Sequence, residues 1–230
     1  MYDLFESGIN VIDDKIGGFY KSSTYLVTGN TGTGKTILGM QFLMKGISTY
    51  QNGLLVTDEK PKDVILQAES LGFDIRNAIK NGNLTILSPE NSYASFTQNL
   101  EDFKSMYEEL DNYIVENDIK RIVVDGFKSI LIPNNDIQLV KEFLPFFFDK
   151  LSSNELIALI TADITNYQYS DEAKTLLEKL ATGIIHLHQI QSQKIRHLII
   201  RKMKGNPVEL KPFDYDFVKA KGIVARELSV

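Results

Sequence analysis

The 230 residues contain no cysteine. That excludes disulfides, thiolate metal sites and thiol nucleophiles, and suits a reducing compartment. Positive charge is also short. Against 30 Asp and Glu stand 25 Lys and Arg, a net charge of -5, which offers no general attraction to nucleic acid or acidic lipid. No apolar run is long enough for a membrane-crossing helix. The start, Met1-Tyr2-Asp3-Leu4-Phe5-Glu6, lacks the basic-then-apolar profile of a signal peptide. The expectation is a cytoplasmic protein with no membrane insertion. The six prolines are scattered, with no proline-rich linker, low-complexity segment or repeat, so residues 1–230 are expected to form one domain. What is present is ordinary for a soluble globule: 43% hydrophobic and 24% charged residues, in a chain long enough for one large α/β core.

The most informative segment is Gly29-Asn30-Thr31-Gly32-Thr33-Gly34-Lys35-Thr36. It fits the phosphate-loop pattern G-x-x-x-x-G-K-[ST] without mismatch. Tyr25–Thr28 before it reads as a buried strand and Ile37–Met44 after it as an apolar helix, the setting this loop requires. Glycines let successive N–H groups turn inward around an anion, and the helix start adds its positive dipole end. Lys35 supplies a point charge for the β- and γ-phosphates, and Thr36 a hydroxyl for Mg²⁺. Gly32-Thr33-Gly34 also begins a dinucleotide fingerprint, but position 37 is Ile where that pattern needs Gly.

Around this loop, short apolar strands alternate with helices. Strands are expected at 54–57, 84–87, 121–125 and 156–161, and helices at 61–70, 95–116 and 137–151, the second carrying Phe96, Leu100, Phe103, Tyr107, Leu110 and Ile114 at helical spacing. The strands are apolar on both faces, the mark of a parallel sheet covered on both sides. The ending differs: 184–190 and 195–203, joined by Gln191-Ser192-Gln193-Lys194, read as an antiparallel hairpin on the sheet edge, and 222–225 as a last short strand.

A triphosphatase needs an acid near Mg²⁺ at a neighbouring strand end, and Asp125 after Ile122-Val123-Val124 has that form. It also needs a group to orient and deprotonate water. Asp58 and Glu59 follow a strand directly, where ligands bind in such sheets, and Glu59 is the stronger candidate base. Lys202 and Lys204 lie two apart and project to one side of a strand; they are either a solvated edge or a cationic device. His186 and His188 share a strand face, with no third metal ligand evident in the sequence. Ser129 and Thr161 sit near strand ends, where a hydroxyl serves either phosphate or the turn itself.

Together these motifs resemble the KaiC-type branch of the RecA-superfamily ATPases over nearly the whole chain. The resemblance rests on Gly8-Ile9-Asn10-Val11-Ile12-Asp13 with Gly17-Gly18, on the loop with Gln41-Phe42-Leu43, and on Asp58-Glu59 with Pro61, Asp63 and Leu71-Gly72-Phe73-Asp74. Val123-Val124-Asp125 with Ser129, then Ile200–Gly205 followed by Pro212-Phe213 and Gly222-Ile223, complete it. It implies a RecA-like P-loop fold with a mostly parallel central sheet, flanking helices and a C-terminal antiparallel β-hairpin. It implies ATP with Mg²⁺ held between the subunits of a homo-oligomeric ring, usually a hexamer. It also implies that Lys202 and Lys204 reach the γ-phosphate on a neighbouring subunit.

There are departures from the family pattern. The acidic pair is usually Glu-Glu, and alignment from the preceding Val-Thr puts Lys60 in its second place, whereas alignment from Pro61 and Asp63 keeps Asp58 and Glu59. The second basic position is often Arg and here is Lys204, which lacks the bidentate fork. Clock proteins of this type carry two ATPase domains; this chain reads as a single-domain relative. The leading expectation is an ATP-hydrolysing ring in signalling or regulation, acting on a client protein. A nucleotide-held switch or scaffold with negligible hydrolysis, similar to the archaellum ATPase homologue, is the first alternative. A recombinase-like DNA-binding ATPase is the second, opposed by the acid excess between Asp163 and Lys179.

Overall fold

The computed structural model describes residues 4–88, 100–126, 137–153, 155–163, 170–190, 195–208 and 210–227. The chain opens with β1 (Leu4–Phe5), α1 (Asn10–Ile16) and β2 (Phe19–Tyr20), where β1 and β2 pair as a small antiparallel ribbon. The central strand β3 (Ser23–Gly29) feeds α2 (Lys35–Ser48). Then come β4 (Asn52–Thr57), α3 (Pro61–Ser70), α4 (Ile75–Lys80), β5 (Leu84–Leu87), α5 (Leu100–Glu116) and β6 (Ile119–Asp125). The second half runs through α6 (Ile137–Leu151), β7 (Ile157–Ala162) and α7 (Asp171–Leu180) into β8 (Gly183–Ile190), β9 (Ile195–Met203), β10 (Phe213–Val218) and β11 (Gly222–Glu227). Nine strands make one sheet in the order β11-β10-β9-β8-β3-β7-β6-β4-β5. Strands β8, β3, β7, β6, β4 and β5 run parallel, and β8 to β11 are antiparallel.

Every residue of β3 and of β7 is buried, because helices cover both faces. Alternation along β3 sends Tyr25 and Val27 to one core, with Leu38, Phe42, Val64 and Ala68 from α2 and α3. It sends Leu26 to the other, with Tyr107, Phe143, Phe147 and Leu177 from α5, α6 and α7. Local signals set the helix starts. Pro61 begins α3 after an extended Lys60. Ser170 caps α7 by accepting from the Ala173 amide at 3.1 Å, ahead of Asp171 and Glu172.

The fold class is the expected one, with differences in detail. The β8–β9 hairpin does not end the sheet: β10 and β11 add beyond it, and β11 is the edge. The acid-aromatic alternation Phe213-Asp214-Tyr215-Asp216-Phe217 is the signature of β10, a strand missing from the sequence reading. The expected helix at 95–116 is described from Leu100, so Phe96 lies outside the described residues, as do the connection 191–194 and Ser129. Among the described residues no helix is long and apolar enough to cross a membrane.

Arg121 locks the base of this arrangement. It is 1% exposed. Its Nε donates to Gln51 Oε1 at 2.7 Å, one terminal nitrogen to the Phe42 carbonyl at 2.9 Å, and the other to the Glu6 carbonyl at 2.8 Å. The guanidinium also lies 4.6 Å from the Phe42 ring centroid. A Cβ at position 46 would come to 2.5 Å from its Nε, so Gly46 makes room for it inside α2. Burial pulls Arg121 down to about 10, still charged at neutral pH. One side chain thus ties the entry segment, the loop helix and β6 together. Replacing Arg121 by Met leaves the buried Phe42 carbonyl and the part-buried Glu6 carbonyl without this donor, and the unfolding free energy is predicted to fall by about 3 kcal/mol. Denaturant titration checks this; a loss below about 1 kcal/mol would show that the guanidinium is dispensable.

Candidate functional site

Four parallel strands end side by side, and their carboxyl ends carry the candidate residues. The register pairs Thr28 with Ala162, Val124 with Ile160 and Thr57 with Asp125. The order across the sheet is therefore the 29–36 loop after β3, Asp163 after β7, Asp125 ending β6, and Asp58-Glu59 after β4. In a parallel sheet this edge is where ligands bind.

The loop is built from both directions. Thr33 folds it locally: its amide and its hydroxyl both donate to the Asn30 carbonyl, at 3.3 and 2.8 Å. Gly34 is the N-cap of α2 at φ 95°, and a Cβ there would lie 2.6 Å from Phe217 Cε1. Only glycine satisfies the left-handed backbone and the aromatic ring at once. Tyr215 donates its hydroxyl to the Thr33 carbonyl, and Arg196 sits 4.7 Å from the Phe217 ring centroid. Sequence reading missed all three residues: the strand of Tyr215 and Phe217 was not read, and the contacts of all three join positions far apart in the chain.

The loop has the features of an anion cradle. The start of α2 has no side-chain cap and no acid in its first turn, in contrast to α7, so its first N–H groups lack an acceptor. A Cβ on Gly32 would meet nothing within 4 Å, which leaves the crest open to a ligand. Lys35 lies back on the loop, donating to the Gly29 and Asn30 carbonyls at 2.8 and 2.9 Å. Burial lowers its pKa, and Asp163 and then Asp125 oppose that shift. The residues present therefore fit a polyphosphate.

Thr36 and Asp125 come together: the threonine hydroxyl donates to Asp125 Oδ2 at 2.7 Å. Thr161, whose role the sequence left open, donates to the other oxygen, Oδ1, and accepts from the Gly126 amide at 3.2 Å. Among the described residues no three His, Asp or Glu side chains are grouped to hold a metal. A magnesium ion here would thus take Thr36 and Asp125 from the protein and the rest of its shell from phosphate and water. Asp58 brings its carboxylate against Gly126, and the Glu59 amide donates to Thr57 Oγ1 at 3.1 Å. Burial raises the Glu59 pKa first, and Asp125, Asp58 and Asp63 raise it further. A carboxyl pushed upward at the rim of a phosphate site is suited to take a proton from water.

Lys202 and Lys204 are not in this cluster. Lys202 pairs with Ile184 near the start of β8, whereas Leu187 of the same strand pairs with Gly29. The lysines therefore lie toward the opposite end of the sheet. The Lys202 ammonium donates to the Glu178 and Lys179 carbonyls at 2.7 and 3.1 Å, and Lys204 to the Leu180 carbonyl at 3.4 Å. They complete the carbonyl end of α7. His186 shares 2.9 Å with Thr28 Oγ1 through its Nδ1 and stacks on His188 at 6.2 Å.

Two predictions follow from this geometry. The first concerns Asp125, whose pKa burial raises above 3.8, against the hydrogen bonds of Thr161 and Thr36. The folded chain then holds this proton more tightly than the unfolded chain. The carboxyl favours folding at low pH, and that contribution is lost as pH rises through the folded pKa. Asp125→Asn should stabilise the nucleotide-free protein by about 1 kcal/mol at pH 8, with the gain shrinking as pH falls through the raised pKa of the carboxyl; a loss at pH 8 in denaturant titrations contradicts it. The second concerns the loop. Gly34→Ala should destabilise the fold, and adding Phe217→Ala should recover the steric part while leaving about 1–2 kcal/mol of left-handed strain. Thermal unfolding of the single and double variants reads this out, and no recovery would contradict it.

The family model described as "ATPase: KaiC" matches residues 5–229. The circadian clock oscillator protein KaiC of Parathermosynechococcus lividus is 30% identical over 208 residues, which is 87% of this chain and 38% of that protein. Its counterpart in Nostoc sp. PCC 7120 is 28% identical over 196 residues, 82% of this chain and 37% of that one. The chain thus spans well under half the length of these curated relatives. The crystal structure of a KaiC-like protein from Pyrococcus horikoshii OT3 aligns with a TM-score of 0.78 at 25% identity, covering 98% of this chain and 99% of that one. With a RecA-type sheet, a phosphate loop on its central strand and a family match over almost its whole length, this chain belongs to the KaiC family of RecA-superfamily ATPases.

Proposed function

We propose that this chain binds ATP with Mg²⁺ at Gly29–Thr36 and hydrolyses it as one ATPase domain, residues 1–230, within a homo-oligomeric, hexameric ring that regulates a client protein. The observation that carries this reading is the meeting, on one sheet edge, of an uncapped helix start, Lys35, the Thr36–Asp125 pair and the raised Glu59. In this reading the loop amides and Lys35 hold the phosphates. Thr36 and Asp125 hold the cation, whose chemistry is to neutralise charge on the phosphate oxygens. Glu59, with Asp58 beside it, orients water and accepts its proton.

The placement of Lys202 and Lys204 supports a role in trans. They sit away from their own loop, so a nucleotide that they touch is a neighbour's. A cation supplied from the next subunit would stabilise developing charge and make hydrolysis depend on assembly. Their docking on α7 would hold them in place before the neighbour arrives.

Phosphate release at concentrations that allow assembly tests the enzyme reading. Turnover should vanish in Lys35→Ala and fall by roughly a hundredfold or more in Lys202→Ala/Lys204→Ala. Mixing those two variants should restore turnover, because one keeps the site and the other keeps the lysines. Wild-type turnover no higher than that of Lys35→Ala would remove hydrolysis from the account. Full activity in the double lysine variant would remove the borrowed cations.

A further inference from the structure

A carboxylate stands at the mouth of the anion-binding loop. Asp163 follows Ala162, whose register partner is Thr28, so Asp163 lies beside the first loop residue, Gly29. Thr31, at the exposed crest, turns its hydroxyl to Asp163 Oδ2 at 3.5 Å. Lys35 donates to the Gly29 carbonyl on the same side, and Asp163 is the leading negative charge acting on it, ahead of Asp125. Asp163 thus reaches the crest of the loop, and it and the Lys35 ammonium both lie beside Gly29. Nothing in the hydrolysis scheme above uses it.

We propose that Asp163 is the resident counter-ion of Lys35 in the nucleotide-free loop, and that it speeds nucleotide release. The proposal rests on the phosphate-site reading of Lys35. Two effects act in the same direction. In the free loop Asp163 offsets the cost of the half-buried ammonium, so the free state is stabilised. In the filled loop the same ammonium is shared with phosphate, and carboxylate and phosphate repel, so the bound state is weakened. Affinity differences of this kind appear mainly in dissociation. An ATPase that must discard its product benefits from such a residue, because release limits turnover in many enzymes.

Removing only the charge separates this role from a structural one. Asparagine keeps an oxygen that can accept from Thr31. With the purified full chain, magnesium and fluorescent ADP as the probe, Asp163→Asn should bind roughly three- to tenfold more tightly, through slower dissociation. Asp163→Glu should stay within about twofold of wild type, since the charge is kept. In Lys35→Met the gain from Asp163→Asn should shrink to the part that comes from carboxylate–phosphate repulsion, because the partner ammonium is gone. Unchanged or weaker binding in Asp163→Asn, with Lys35→Met still losing affinity, overturns this inference alone. If Lys35→Met binds as well as wild type, the site reading falls and takes this inference with it.

Discussion

The loop that follows β3 keeps its shape because strands from the far end of the chain press on it. Phe217 sits against Gly34, and the Tyr215 hydroxyl holds the Thr33 carbonyl. Behind them Gln41 of α2 binds the amide of Ile223 at 2.7 Å and its carbonyl at 3.0 Å, and reaches the Gly8 carbonyl as well. The loop helix is thereby fastened to the entry segment and, across a separation of 182 residues, to β11. The glycines permit the loop's conformation, but tertiary contacts select it. In this chain the C-terminal strands and the phosphate loop are joined by these contacts.

The fold also gathers charge that it does not fully satisfy. Burial lowers Lys35 and raises Asp125 and Glu59, and in each case it is the leading cause. Neighbours partly compensate: the charges of Asp163 and Asp125 support Lys35, and the Thr161 and Thr36 hydroxyls support Asp125 by hydrogen bonds. The carboxylates also repel one another, since Asp58 raises both Asp125 and Glu59. Gathering such groups at one partly buried edge costs stability. That is the electrostatic form of a trade between stability and function.

The phosphate-loop pattern was legible because it lies in eight contiguous residues, and the expected strand and helix flank it. Asp125 and the Asp58-Glu59 pair were legible because each follows an apolar strand that runs into this edge. Helices with strong local signals, such as Pro61–Ser70 and Ile137–Leu151, fall where periodicity put them. Residues whose role depends on register were not legible. Asp163 enters the site only because Ala162 pairs with Thr28. Arg121 looks like an ordinary charged strand start, and only the fold buries it against Phe42. The carbonyl end of α7 that receives Lys202 and Lys204 is equally a matter of tertiary placement. Phe217 and Tyr215 are the exception: the alternation of β10 was present in the sequence and went unread.

The central claim is that backbone amides of the 29–36 loop, with the Lys35 ammonium, grip a polyphosphate. Backbone amide chemical shifts of the labelled protein, followed as ADP and then ATP are added with magnesium, test it most directly. The account predicts that the largest changes fall on Gly32 to Thr36, where the uncapped helix start gains its acceptors. Saturating nucleotide that leaves those amides unmoved, or shifts a different surface instead, would contradict it.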